Sequence, residues 1–191
     1  MVNQTRRSML LGAGALVLAG ATRAQAMPVM TEDGYYREDW FVETFLELAD
    51  DLEAARKHGK RFAVMWELKG CPYCKETHFV NFARPDIREF TSKNFDILPL
   101  NILGSRKVTD FDGQELSEKQ LAAKYGVKFT PTIQFFPDTL EGLKDMTPQK
   151  REVIRIPGYL RPDDFLDVFR FVQQKSYGTK TFREFLKSER S

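Results

Sequence analysis

A chain of 191 residues with 42% hydrophobic and 29% charged side chains has enough apolar bulk for one domain with a real core, and its balance is neither that of a disordered chain nor that of a membrane-embedded one. The formal net charge of +2 includes Arg6, Arg7 and Arg23; setting aside these three leaves 26 basic against 27 acidic residues, so no basic field remains that would suit nucleic acid. The two cysteines stand three positions apart, which rules out a disulfide framework linking distant parts of the fold.

Residues 1–26 read as an export signal: a polar, basic start, the apolar run Met9–Gly20, and the small-residue site Ala24-Gln25-Ala26, after which cleavage is expected. The run is shorter than a comfortable bilayer span. Thr5-Arg6-Arg7-Ser8-Met9-Leu10-Leu11 resembles the twin-arginine motif of bacterial Tat signals, and Gly12, Gly14, Gly20 and Arg23 fit the same pattern. The implied destination is the periplasm, where dithiols and disulfides are both accessible.

Residues 27–38, with Pro28 and Gly34, read as an irregular lead-in. From Asp39, the apolar residues Trp40, Phe41, Phe45, Leu48, Leu52 and Ala55 recur at three- and four-residue steps and predict one amphipathic helix ending near His58-Gly59. Arg61–Leu68 is an apolar run with β-branched and aromatic members, as a buried central strand requires. Lys69-Gly70 turns the chain, the cysteine pair opens a helix through Phe82, and Arg84-Pro85 interrupts it before a further turn or two over Asp86–Asn94. Phe95–Ile102 is a second strand, Gly104–Gly113 a surface loop, Leu116–Tyr125 a helix and Thr132–Phe136 a strand. Asp138–Gln149 is turn-rich and Glu152–Ile156 alternates like an edge strand. Pro162, followed by Asp163 and Asp164, starts a helix to about Ser176 that offers Phe165, Leu166, Phe169 and Phe171 to a core, and Thr181–Leu186 adds a short helix. This order predicts an α/β fold in which a mixed central sheet carries helices on both faces.

A Cys-x-x-Cys where a strand meets a helix has a chemical logic. Cys71 falls at the helix N-terminus, where unpaired amide hydrogens and the dipole favour an anion, and such thiols ionise at about 3.5–7.5 instead of roughly 8.5. Cys74, one turn in, is more buried. Cys71 is therefore expected to attack a substrate disulfide and Cys74 to resolve the mixed disulfide. Pro72 fixes φ where the first turn has no use for its donor, and Tyr73 is placed at the rim. A structural zinc site needs four ligands, and this chain offers two thiols with His58 and His78 on different helices, so neither metal nor cofactor is expected.

Cys71–Cys74, then Thr130-Pro131, then Gly158 before a last helix resemble the thioredoxin superfamily over about Asp39–Ser176; the domain is drawn at 39–177, with 178–191 as a C-terminal extension. The resemblance implies a thioredoxin fold, a cis bond before Pro131, and a substrate strand bonded to the backbone of Thr130, with Pro72 and Tyr73 completing the contact surface. Pro-Tyr is the glutaredoxin dipeptide, but the Thr-Val-Pro and Gly-Gly…Asp features of that branch are missing. Pro131 follows Cys71 by 60 positions, too few for the helical insertion of DsbA-type oxidants. Gly70-Cys71-Pro72-Tyr73-Cys74-Lys75-Glu76, with the export signal and Phe95–Gly113, is similar to periplasmic thioredoxins of the SoxW type and to the C-terminal domain of DsbD. That similarity implies a monomeric reductase of periplasmic protein disulfides, fed by a membrane thiol carrier of the DsbD/CcdA type, with sulfur oxidation as one setting. Cytochrome c maturation, net disulfide oxidation and a thiol metal carrier are the alternatives.

One residue departs from the family pattern. Thioredoxins carry a buried Asp six positions before the first cysteine, and here that position is Met65. Glu67 shares the face of Met65 because strand side chains alternate, and His78 lies four residues after Cys74 on the same helix face. Both are candidates for assisting proton transfer at Cys74.

Overall fold

The computed structural model describes residues 27–189; the export signal expected over residues 1–26 lies outside them. Four strands form the central sheet: β3 (Arg61–Glu67), β4 (Phe95–Asn101), β7 (Thr132–Phe135) and β8 (Ile154–Pro157), in the order β4-β3-β7-β8. β3 runs parallel to β4 and antiparallel to β7, and β7 is antiparallel to β8, so the sheet is mixed as expected. β3 is buried along nearly its whole length, which is why its sequence is an unbroken apolar run instead of an alternation. Pro99 is tolerated in β4 because that strand is at the edge of the sheet.

Both faces are covered, each by its own core. On one side Ala63, Met65, Ile97, Ile133 and Phe135 meet Ile87 of α3 (Pro85–Asn94) and Phe165, Phe169 and Val172 of α5 (Pro162–Gln173). On the other, Phe62, Val64, Trp66 and Leu98 meet Leu48, Leu52 and Ala55 of α1 (Leu48–Lys57) and Leu121 and Ala122 of α4 (Glu118–Lys124). A terminal helix, α6 (Phe182–Glu189), continues the first core through Phe185 against Phe171, so the C-terminal extension is packed onto the domain. Among the described residues no helix is long and apolar enough to cross a membrane.

Several expected elements differ. The helix predicted from Asp39 starts only at Leu48. Its apparent periodicity joins two segments on opposite faces: Phe41 is in the first core, whereas Leu46 and Leu48 are in the second. Between them the chain follows the edge of the sheet, with the Val42 N–H donating to Ile97 and the Thr109 N–H to Leu46, and Phe45 points to solvent. The loop expected over Gly104–Gly113 contains β5 (Lys107–Thr109), paired antiparallel with β6 (Glu115–Ser117). Helix α4 then starts at Glu118, because Ser117 and Gln120 form a capping box. The lead-in is not irregular: β1 (Val29–Met30) and β2 (Tyr36–Arg37) make a short hairpin. The cysteine helix is α2 (Pro72–Glu76), continued by a π-helical segment, Thr77–Phe82.

Phe169 is fully buried and its ring meets those of Phe95, Phe135 and Phe165 at 4.8–5.0 Å. Phe169→Ala should lower stability by about 3–5 kcal/mol, read as a lower urea midpoint at unchanged slope.

Candidate active site: a dithiol facing a cis-proline

β3 ends at Glu67, and Gly70 turns the chain at φ +74°, a conformation that disfavours a side chain. The turn places Cys71 as the N-cap of α2, with Pro72 at the first helical position. Cys71 and Cys74 are joined as a disulfide, so the structure is the oxidised state. The Cys74 amide donates to Cys71 Sγ at 3.1 Å, a contact that stabilises negative charge on that sulfur once the bond is reduced. Cys71 is partly exposed and Cys74 is 2% exposed, which makes Cys71 the sulfur a substrate can reach.

Opposite the disulfide, the Thr130–Pro131 peptide bond is cis, and the Thr130 carbonyl oxygen lies 3.3 Å from Cys71 Sγ. Two hydrogen bonds hold this loop: the Gly158 N–H donates to the Pro131 carbonyl at 2.7 Å, and the Thr132 hydroxyl to the Phe129 carbonyl at 2.8 Å. Gly158 sits at φ +96°, out of easy reach for other residues. The sulfur and the clamp therefore come from loops at the ends of β3, β7 and β8, adjacent strands of one sheet.

The rim is aromatic. Tyr73 is 57% exposed and stacks on Tyr159 at 6.3 Å, and Phe129, just before the cis bond, is 65% exposed. On the other flank the lead-in hairpin borders a cavity of about 590 Å³ against Leu68, Cys71, Pro72 and Cys74, walled by Met30, Tyr35 and Tyr36. Phe129, Tyr159 and this wall were not expected from the sequence. Phe129 had a usable signal, its place beside Thr130-Pro131; the hairpin, only two residues per strand, had none.

Glu67 and His78 are brought together below the site. The His78 ring is fully buried in the π-helical segment; its Nε2 is 2.8 Å from Glu67 Oε1 and its Nδ1 2.8 Å from Glu38 Oε1. Among the described residues the hydrogen-bond partners of His78 are these two carboxylates; the cysteine sulfurs are not among them. Arg88 of α3 donates to the other oxygen of Glu38 at 2.7 Å and also pairs with Asp39. Burial pushes the Glu67 carboxyl up, with the His78 contact opposing it, and Glu67 Oε2 has no hydrogen-bond partner among the described residues. Burial works against charge on His78, but the Glu38 and Glu67 carboxylates outweigh it and raise its pKa to about 9. Glu38 was not anticipated, because it lies 40 positions from His78. Among the described residues no group of three or more His, Cys, Asp or Glu side chains is arranged to hold a metal ion.

A partly exposed sulfur at a helix N-terminus, a buried partner one turn on, and a cis-proline loop against the exposed sulfur give the thioredoxin fold the arrangement of a thiol–disulfide oxidoreductase. The chain belongs to the thioredoxin-like domain family, whose sequence pattern matches residues 48–173. Among solved structures it is similar to a thioredoxin-fold protein from Helicobacter pylori (22% identity, 76% of this chain and 91% of that one, TM-score 0.51). A thioredoxin from Thermus thermophilus (22%, 66% and 83%, 0.48) and the oxidised C-terminal domain of Neisseria meningitidis DsbD (15%, 69% and 97%, 0.44) also match. No curated protein matches.

The charged imidazole gives stability a pH dependence. Its pKa is raised from 6.5 to about 9 on folding, so its contribution is complete below about pH 6.5 and is lost as pH rises through about 9. The oxidised protein should lose at most about 3 kcal/mol across that window, seen as a falling melting temperature, and His78→Gln should flatten the decline.

Proposed function

We propose that the protein is a periplasmic reductase of protein disulfides. The observation that carries this reading is the position of Cys71 Sγ, 3.1 Å from the Cys74 amide and 3.3 Å from the Thr130 carbonyl oxygen. The first contact favours the thiolate; the second puts the sulfur beside backbone groups that an incoming extended segment can pair with. Thr130 and Pro131 form the clamp, and Pro72 and Tyr73 meet the substrate at the rim.

The reaction balances within the two partners. The Cys71 thiolate attacks one sulfur of the target disulfide, the target S–S bond breaks, and one target cysteine leaves as a thiolate that takes a proton from water. Cys74 then loses its proton and attacks Cys71 Sγ; the mixed disulfide breaks and the second target thiol is released. The target has gained two electrons and the Cys71–Cys74 disulfide has formed. Glu67, with His78 behind it, assists the loss of the Cys74 proton. A membrane thiol carrier of the DsbD/CcdA type returns the electrons. Export by the twin-arginine signal of residues 1–26, action as a monomer and service to sulfur oxidation complete the proposal; their support is the sequence of the leader and of Gly70–Glu76.

Cys74→Ser should stall the mixed disulfide and capture the native target on Cys71, while Cys71→Ser should abolish both capture and any gain in insulin reduction by dithiothreitol. Equal insulin reduction by wild type and Cys71→Ser would end the reading. Equilibration in thiol buffers should give a midpoint of about −200 to −270 mV, and a value near −120 mV would make the protein a net oxidant instead.

A further inference from the structure

Glu38 lies outside the residues matched to the thioredoxin-like domain, ten positions before their start, yet it is 1% exposed and bonded to the helix that carries the dithiol. The groups around His78 come from four elements. The lead-in supplies Glu38 and the Tyr36 ring, 6.0 Å away; β3 supplies Glu67; α3 supplies Arg88, acting through Glu38 and itself paired with Asp39. Its own helix carries Cys74 one turn back, and the Phe41 and Phe82 rings, at 5.8 and 5.7 Å, close the enclosure to water.

An imidazole with both nitrogens on carboxylates can donate to both only as the cation; the neutral ring has one N–H and one lone pair. The buried cluster therefore has two arrangements: an imidazolium between two carboxylates, or a neutral ring with a proton on one glutamate. Arg88 neutralises Glu38, whereas Glu67 Oε2 has no hydrogen-bond partner among the described residues, so Glu67 is the carboxylate placed to take up a further proton.

We propose that Glu38 is a positioning residue for the exchange: by holding His78 Nδ1–H it aims Nε2–H at Glu67 and fixes the protonation of that acid, so that the lead-in sets the pH range in which Cys74 gives up its proton. The step takes one proton from the Cys74 thiol onto the Glu67 carboxylate as the thiolate attacks Cys71 Sγ, the Cys71–Cys74 bond forms, and the target's second sulfur leaves as a thiolate; no further reactant is needed. This inference rests on the thiol–disulfide reading above.

Glu38→Gln keeps the volume and an acceptor for Nδ1–H but removes the charge. His78 then loses its proton at lower pH, Glu67 loses its cation, and the alkaline limb of the rate of disulfide reduction should move down by about one pH unit, a tenfold change in proton affinity. Glu38→Asp, which restores the charge, should move the limb back. A Glu38→Gln profile that superimposes on an active wild type overturns the inference while leaving the reductase reading intact; an inactive wild type overturns the reading itself. If Glu38→Gln does not fold, the His78 ring of the wild type can be titrated by NMR in the oxidised and reduced protein. A midpoint that shifts on reduction supports the coupling, and an unchanged one overturns it.

Discussion

A sulfur at the first turn of a helix meets amide hydrogens that have no carbonyl of their own to bond, and this local excess of donors stabilises its anion over its thiol. Cys71 has that position because β3 ends where it does: the strand stops at Glu67, Gly70 reverses the chain, and Pro72 opens the helix without removing a needed donor. The rest of the site is arranged around that sulfur. β7 and β8 bring Thr130, cis-Pro131 and Gly158 to it from adjacent strands, and two aromatic-faced cores keep those strands in register.

Beneath the sulfur pair the chain accepts a costly arrangement. Two carboxylates and an imidazole are taken out of water around His78, with the partly buried Arg88 guanidinium beside them, and a buried charge loses several kcal/mol of hydration before any pairing is counted. Mutual pairing offsets much of this, but Glu67 Oε2, without a hydrogen-bond partner among the described residues, is a residual cost that an apolar core would avoid. Titratable groups whose protonation is shifted by burial and pairing beside a reactive centre are where such costs are commonly tolerated. The π-helical turn after α2 belongs to the same arrangement, since it carries the His78 ring between the sheet and the lead-in.

The lead-in changes what counts as the working unit. The thioredoxin-like match spans residues 48–173, but Tyr35 and Tyr36 wall the cavity beside the disulfide and Glu38 bonds to His78 on the helix that follows it. The flank opposite the cis-proline is therefore built by residues that precede the matched domain.

Local patterns in the chain were sufficient for the strands β3, β4 and β7, the helices α3 and α5, the dithiol and its proline, because each rests on short-range chemistry: an apolar run, a proline at a helix start, a cysteine spacing. They failed over residues 39–47, where apolar residues at helical spacing belong to opposite faces of the sheet, a distinction that periodicity cannot register. Glu67 and His78 could be singled out by their spacing from the cysteines, but Glu38 joins His78 across 40 positions, and the stacking of Tyr73 on Tyr159, farther apart still in the chain, was equally hidden. Which atoms can react, and at which turn of which helix, is written in local stretches of the chain. What surrounds them comes from folding, because burial and pairing depend on segments that meet in space and carry no local mark of their meeting.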